Sequence, residues 1–397
     1  MPLPNRNRLY VASCFTLITI ALTFAIRGDI LGQLSQRFQL SNEQLGWIAG
    51  AAFWGFTISI FIGGQLCDVV GLGRLLALAF LGHMGGVLTT IFAQGFWTLW
   101  IGTLLVGLGN GLVEAAINPL IATVYPEQKT EKLNALHAWF PGGIVIAGLA
   151  AVGMTALHLN WQVKMTFVLL PCIIYGALLL GQKFPATERV QHGVSTAEMY
   201  RQVLQPRFLI WVFCMLLTAS TELGPNQWIP TILTQTAHLQ GILVLAWING
   251  IMACGRLLAG PVVRLLTPVM LLLVAACLSA LGLLLLSAAN SPASAFLSAT
   301  LFAVGICYFW PTMLGVASER FPSGGALLLA IVGGAGNLSV AIVLPLMGRI
   351  YDQHGPAIAL KSVVALPTLL IVIFALIWLN DRGRGGYKVV KLSGNEG

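Results

Sequence analysis

Charge is what this sequence has least of: Asp, Glu, Lys and Arg together make up 9% of its 397 residues, against about 25% in an average soluble domain. With 57% hydrophobic residues and a mean hydropathy of +0.86, that scarcity excludes an ordinary water-soluble enzyme. Paired cysteine spacings are missing as well. Cys14, Cys67, Cys172, Cys214, Cys254, Cys277 and Cys307 stand singly in or beside apolar stretches with no His at ligand spacing, which argues against a zinc site and leaves them as core thiols. No Gly-rich loop runs into Lys-Ser/Thr, and no nucleophile stands with a base at usable spacing. An ATP-driven pump and an enzyme are therefore not expected of this chain, and no cofactor is called for. The 44 Gly follow no collagen period; in a chain this apolar they let spanning helices approach closely.

What the sequence has is apolar runs of membrane-crossing length. They lie near residues 9–36, 44–67, 75–95, 97–125, 132–156, 162–182, 207–233, 239–266, 268–288, 294–320, 322–350 and 358–380, each about the 20 residues a bilayer requires. The expected fold is an all-α polytopic membrane protein with twelve transmembrane helices. Met1 to Arg8 is short and basic, but the run behind it outlasts a signal peptide and lacks a small-residue cleavage site, so it reads as an uncleaved first span. The one long polar interruption falls in the middle. It divides the chain into an N-terminal six-helix bundle (1–182), a central loop (183–206), a C-terminal six-helix bundle (207–380) and a tail (381–397) expected to be disordered. Fifteen Lys and Arg fall on the side of the termini and central loop, against four on the other, with Arg27 and Arg256 inside the membrane. Positive residues favour the inside, so both termini and the central loop are expected in the cytoplasm, the protein in a bacterial-type inner membrane. The formal charge of +8 then serves the anionic inner leaflet, with no nucleic acid partner required.

The halves also look duplicated. A shift of 196 positions (305 − 109) carries Gly109 onto Gly305, Tyr125-Pro126 onto Phe321-Pro322 and Gly64 onto Gly260. Landmarks at helix ends in the same order suit two bundles related by an axis along the membrane normal.

After the second stretch the sequence reads GQLCDVVGLGR, with Gly64, Asp68, Gly71 and Arg74. This resembles the loop 2–3 signature of the major facilitator superfamily, G-x-L-x-D-x-x-G followed by basic residues. The resemblance implies two six-helix bundles that alternate access to a central site, in a monomer, with these four residues in a gate. An ion pair at a tight glycine turn clamps helix ends in one state and releases them in the other. Val69, Leu72 and Gly73 stand where many members carry Arg or Lys, and Arg264 stands at the second-half counterpart of Asp68.

An ionisable side chain inside the membrane is costly unless it is paired or faces a wet cavity. Asp29, Glu114 and Glu222 qualify, with Arg27, Arg256, His83 and His137 in the same zone. The fourth stretch, GLGNGLVEAAINPLIATVYPE, the fifth, opening KLNALHAWFPGG, and RGDILGQLSQRFQLSNEQLGWI at the first resemble the fucose:proton and glucose-type sugar symporter branch. In that branch an Asp of helix 1 and a Glu of helix 4 are implicated in proton coupling, which points here to Asp29 and Glu114. The chemistry agrees, since a carboxyl shielded from water holds its proton more tightly. Glu114 has no Lys or Arg within a helical turn. Asp29 stands two residues from Arg27, a spacing that does not place side chains together on a regular helix, so it is either a coupling site or, with irregular backbone, a partner of Arg27.

In TASTELGPNQWIP, Gly224-Pro225 is expected to break or kink helix 7. Glu222, as a third proton-coupling candidate, would then share one bend with Asn226, Gln227 and Trp228, a carboxyl, two amides and an aromatic plate suited to a polyhydroxylated solute. Trp54, Asn118, His137, Trp139, Tyr308, Trp310 and Asn337 complete the candidate substrate-binding set. Arg256 is expected near the cytoplasmic end of helix 8, snorkelling or pairing near Glu319 and Asp68 in the gate. Thr103 occupies the helix-4 place where proton-coupled drug exporters of the superfamily carry Arg, which counts against drug export. The expected function is secondary active transport, proton-coupled uptake of a small neutral polar solute, a monosaccharide first among them. The alternative is a proton-coupled exporter of a metabolite or drug.

Overall fold

The computed structural model describes residues 5–125, 132, 135–185, 204–257, 262, 265–321 and 325–388, and among them every regular element is helical. Their order is α1 (Arg6–Phe38), α2 (Asn42–Val70), α3 (Leu72–Ile91), α4 (Phe96–Val124), α5 (Trp139–Ala156), α6 (Trp161–Phe167), α7 (Leu169–Leu179), α8 (Pro206–Thr236), α9 (Gly241–Leu257), α10 (Pro268–Ser287), α11 (Pro292–Ile306), α12 (Phe309–Arg320), α13 (Gly325–His354), α14 (Pro356–Ser362) and α15 (Ala365–Gly383). Eleven segments are long and apolar enough to cross a membrane, and the shorter Gly241–Arg256 supplies the twelfth span. Four of the described spans are interrupted once, at Ala138 and between α6 and α7, α11 and α12, and α14 and α15.

Polar side chains punctuate the helices where the sequence supplies them. Asn5 caps α1 by accepting from the Arg8 amide at 3.0 Å. Arg8 in turn donates to the carbonyls of Ala177, Leu178 and Leu180, placing a cation at the negative end of α7. Asn160 caps α6 through the Val163 amide.

The expected break at Gly224-Pro225 does not occur. Helix α8 runs unbroken through Pro225 and Pro230, because residues 217–233 are almost all buried among α1, α9 and α13. A span packed on several sides keeps its course where an exposed one would open. The tail also differs from expectation. Helix α15 continues to Gly383, Asp381 pairs with Arg320, and the Tyr387 hydroxyl donates to Glu319. Arg320 lies between the rings of Trp211 and Tyr387, so these aromatic and ionic contacts anchor the chain as far as Tyr387.

Within each half, glycines set the closest approaches. A Cβ on Gly107 would fall on the backbone of Ala52, joining α4 to α2, and one on Gly282 would meet the Phe302 backbone at 2.5 Å, joining α10 to α11. Small residues at such seams let backbones touch. Gly107→Val is expected to cost about 1–3 kcal/mol by overpacking, visible as a lower melting temperature in detergent; melting at the wild-type temperature would remove this seam from the stability account.

The two halves meet in the part of the membrane remote from the chain termini. Asn42, Gly46, Gly50, Thr57 and Phe61 of α2 follow Gly348, Leu344, Ala341 and Gly334 of α13 in antiparallel order. Gly148 of α5 sits on Ala246 and Ile242 of α9, and Gly28 of α1 on the carbonyl of Gln227 in α8. At the rim the Asp352 carboxylate accepts from the amides of Asn42 (3.0 Å) and Glu43 (2.8 Å), so α13 of one half caps the first turn of α2 in the other. Arg349 pairs with Glu43 alongside. Among the described residues, the hydrogen bonds and glycine contacts joining the halves run from this rim past the middle of the spans, as far as Phe61 and Gly334.

Candidate functional site

Three of the expected site residues come together on the N-terminal half, below the sealed zone. Glu114 and Asn118 are one helical turn apart on α4, and the Asn118 amide donates to the Glu114 carboxylate at 3.0 Å and to its carbonyl at 3.1 Å. The Asn118 oxygen accepts from His137 Nε2 at 2.8 Å. The result is a chain from an exposed imidazole, through a neutral amide, to a half-buried carboxylate. No described Lys or Arg forms an ion pair with Glu114. Trp139 is 42% exposed on the same side of α5's start.

In the C-terminal half, Glu222 of α8 pairs with Arg256 of α9 at 3.2 Å, their side chains 5% and 25% exposed. Arg256 also donates to the Cys307 carbonyl at 3.1 Å, and the Tyr308 hydroxyl donates to the Gly255 carbonyl at 3.0 Å. Of the expected neighbours of Arg256, Glu319 accepts from Tyr387 instead and the Asp68 side chain lies outside the described residues; the guanidinium bonds Glu222, which is buried and needs a cation. Arg256 is thus half of a membrane-depth ion pair. Trp310 lies against Gly333 and Gly336 of α13, and Asn337, buried, donates to the Gly333 carbonyl. Trp54 is partly buried against the core.

Asp29 is paired, but not with Arg27. Helix α1 is regular through both residues, so they point apart, and Asp29 accepts from Lys164 Nζ at 2.6 Å. Lys164 is 2% exposed and also donates to Thr155 at 2.8 Å. In the sequence Lys164 counts among the four cations of the outer side, near the start of the sixth apolar stretch; the signal for its burial is Asn160, whose cap starts the helix at Trp161 and carries Lys164 inside. Asp29→Ala, which strands a buried ammonium, is expected to destabilise the protein by roughly 3–5 kcal/mol. Asp29→Ala/Lys164→Met should recover much of that in a thermal double-mutant cycle; additive losses would show the pair to be uncoupled.

The segment Asn226, Gln227 and Trp228 is not gathered with Glu222 on one bend. All three are buried in the sealed zone, where the Gln227 amide reaches the Phe24 carbonyl at 3.5 Å and Trp228 lies against Tyr351, ring centroids 5.7 Å apart. Asn226 Oδ1, Gln227 Oε1 and Trp228 Nε1 have no hydrogen-bond partner among the described residues. His83 is bonded on both ring nitrogens, to Tyr175 and Asn110, and so serves packing. In the gate motif, Gly71 takes φ +89 between α2 and α3, a conformation that glycine adopts without strain, and Arg74 is exposed. Gly64 lies within α2. The Asp68 side chain, like Asn134, Gly260, Arg264 and the prolines of the 196-residue repeat, Pro126 and Pro322, lies outside the described residues. Among the described residues no cluster could hold a metal ion.

Ionisable pairs held at bilayer depth on facing helices mark a functional pathway in a polytopic protein. This chain belongs to the Major Facilitator Superfamily, whose family model it matches over residues 9–326. It is 25% identical over 190 residues to a D-xylose transporter of Levilactobacillus brevis, covering 46% of this chain and 41% of that one. It is 26% identical over 282 residues to a 3-(3-hydroxy-phenyl)propionate transporter of Escherichia coli K12, covering 67% of each. The fold is shared with a crystal structure of a D-xylose-proton symporter (TM-score 0.77, 16% identity, 94% of this chain and 97% of that one). The nucleoside transporter NupG also has it (TM-score 0.75, 11% identity, 94% of this chain and 98% of that one).

Proposed function

We propose that this protein is a proton-coupled importer of a small neutral polar solute, a monosaccharide in the first instance, working by alternating access between residues 1–182 and 207–380 in a bacterial-type inner membrane. With the termini in the cytoplasm, the sealed face is the outer one and the described state faces inward. The observation that carries the proposal is Glu114: a half-buried carboxylate held by a neutral amide, with no ion pair to a described Lys or Arg, beside an exposed His137. A carboxyl so placed accepts a proton when its surroundings dry and gives it up when they wet. Glu222 is the second coupling group, because its protonation loosens Arg256 and the C-terminal wall with it. Asp29, saturated by Lys164, is assigned to holding α1 against α6. Asn118, His137, Trp139 and Trp310 offer the polar and aromatic surface a sugar requires, and the xylose transporter relative supports that class.

The partly exposed guanidinium of Arg256 favours a second reading, a solute bearing a carboxylate, with which the phenylpropionate transporter relative agrees. The test is uptake into proteoliposomes under an inward proton gradient from a radiolabelled panel of sugars, aromatic acids and other organic acids. Accumulation of a sugar that a protonophore collapses supports the first reading, and accumulation of an organic acid supports the second. Efflux of preloaded solute driven by proton entry would replace both with export.

A further inference from the structure

The N-terminal half carries a cation that the transport reading does not use. Arg27 is 5% exposed and forms no ion pair or hydrogen bond with any described residue; its recorded contact is the face of Phe24, 5.5 Å away, and its Nη1 is buried without a partner. The nearest carboxylate in sequence, Asp29, is consumed by Lys164. The buried charges here are therefore Arg27, Lys164 and Asp29, two cations against one anion. An uncompensated charge at this depth costs several kcal/mol.

Arg27 opens onto a small cavity lined by Ile30, Leu34, Ile48, Leu99, Val106 and Met165 and carrying the hydroxyls of Thr23, Thr90 and Thr103. Thr23 and Thr90 spend their protons on the carbonyls of Ile20 and Gly86. Thr103 makes no hydrogen bond to a described residue, so its hydroxyl remains to be donated. Thr103 lies where drug exporters of the superfamily carry Arg; here the positive charge reaches the same cavity from α1. A guanidinium and a free hydroxyl converging among apolar walls, with one positive charge in excess, make a donor set for an anion. A monatomic anion asks less of so small a space than a carboxylate or phosphate does.

We infer that Arg27 and Thr103 hold a single halide ion, chloride in the cell, inside the N-terminal half and apart from the solute path. The ion completes the charge balance of α1, α4 and α6 and makes this half more rigid when it is bound.

The test is thermal melting of the purified full-length protein in sodium chloride, bromide or gluconate at equal ionic strength. The expected result is a saturable rise in melting temperature with chloride and bromide that gluconate does not give. Arg27→Gln should abolish the halide response. Thr103→Val, which keeps the size of the side chain and leaves Arg27 in place, should raise the half-maximal chloride concentration about tenfold, the worth of one hydrogen bond to a charged group. An anomalous bromide peak beside Arg27 in crystals would support the assignment directly. Equal melting in chloride and gluconate, a halide response that survives Arg27→Gln, or water alone at the site would overturn it.

Discussion

Glu114→Gln is expected to abolish proton-driven accumulation while solute counterflow across the same proteoliposomes stays within several-fold of wild type. Gln keeps the shape of Glu and can still bond the Asn118 amide, so α4 and the surface around it stand. What it loses is the exchangeable proton, and with it the free-energy link between the proton gradient and the solute. Counterflow needs only that the loaded carrier change states, and that reaction asks nothing of a titrating group at this position. Glu114→Ala separates the roles further, because it also removes the acceptor for Asn118 and should impair counterflow. His137→Ala should slow accumulation without abolishing it, since His137 reaches the carboxylate only through Asn118. Undiminished accumulation by Glu114→Gln would move coupling to Glu222 and Arg256.

Gly46→Val is expected to cut transport by about ten- to a hundredfold through the equilibrium between states. A side chain on Gly46 would overlap the backbone of Leu344 and Pro345 in the other half, and Gly50 and Gly348 on the same seam leave as little room against Ala341 and Asn42. Overpacking of this kind costs about 1–3 kcal/mol, and here the cost falls on the sealed state alone, because separated halves do not feel it. Each 1.4 kcal/mol is a tenfold shift in population. The protein should fold and melt normally but rest open on the rim side. With native cysteines replaced, Gln227→Cys in the sealed zone should react with a membrane-impermeant maleimide in the Gly46→Val background and resist it otherwise. Equal labelling in both would show that the seam does not control access.

The spans are legible in the sequence because each is a continuous apolar run, and a run of that length has few alternatives in a bilayer. The link between Glu114 and Asn118 is legible for a similar reason: four residues on one helix are neighbours whatever surrounds them. Contacts made between helices are not. Asp29 and Lys164 are 135 residues apart and Glu222 and Arg256 34, and no local spacing announces either pair. The proline of helix 7 misleads for the same cause, since what a proline does to a buried helix depends on the helices packed around it. Asn226, Gln227 and Trp228 look like a solute site because polar residues at depth invite that reading; in the described state they lie where the two halves close on each other.

Asp352 lends its carboxylate to the start of a helix in the other half, so parting the rim also strips α2 of its cap. A latch of this kind is worth about 1 kcal/mol at an exposed position, enough to bias which side stands open by about fivefold and too little to slow the crossing. Thermal motion undoes it readily, and closing the rim restores the first turn of α2 at the same moment, so the integrity of one helix end becomes a readout of which way the carrier faces.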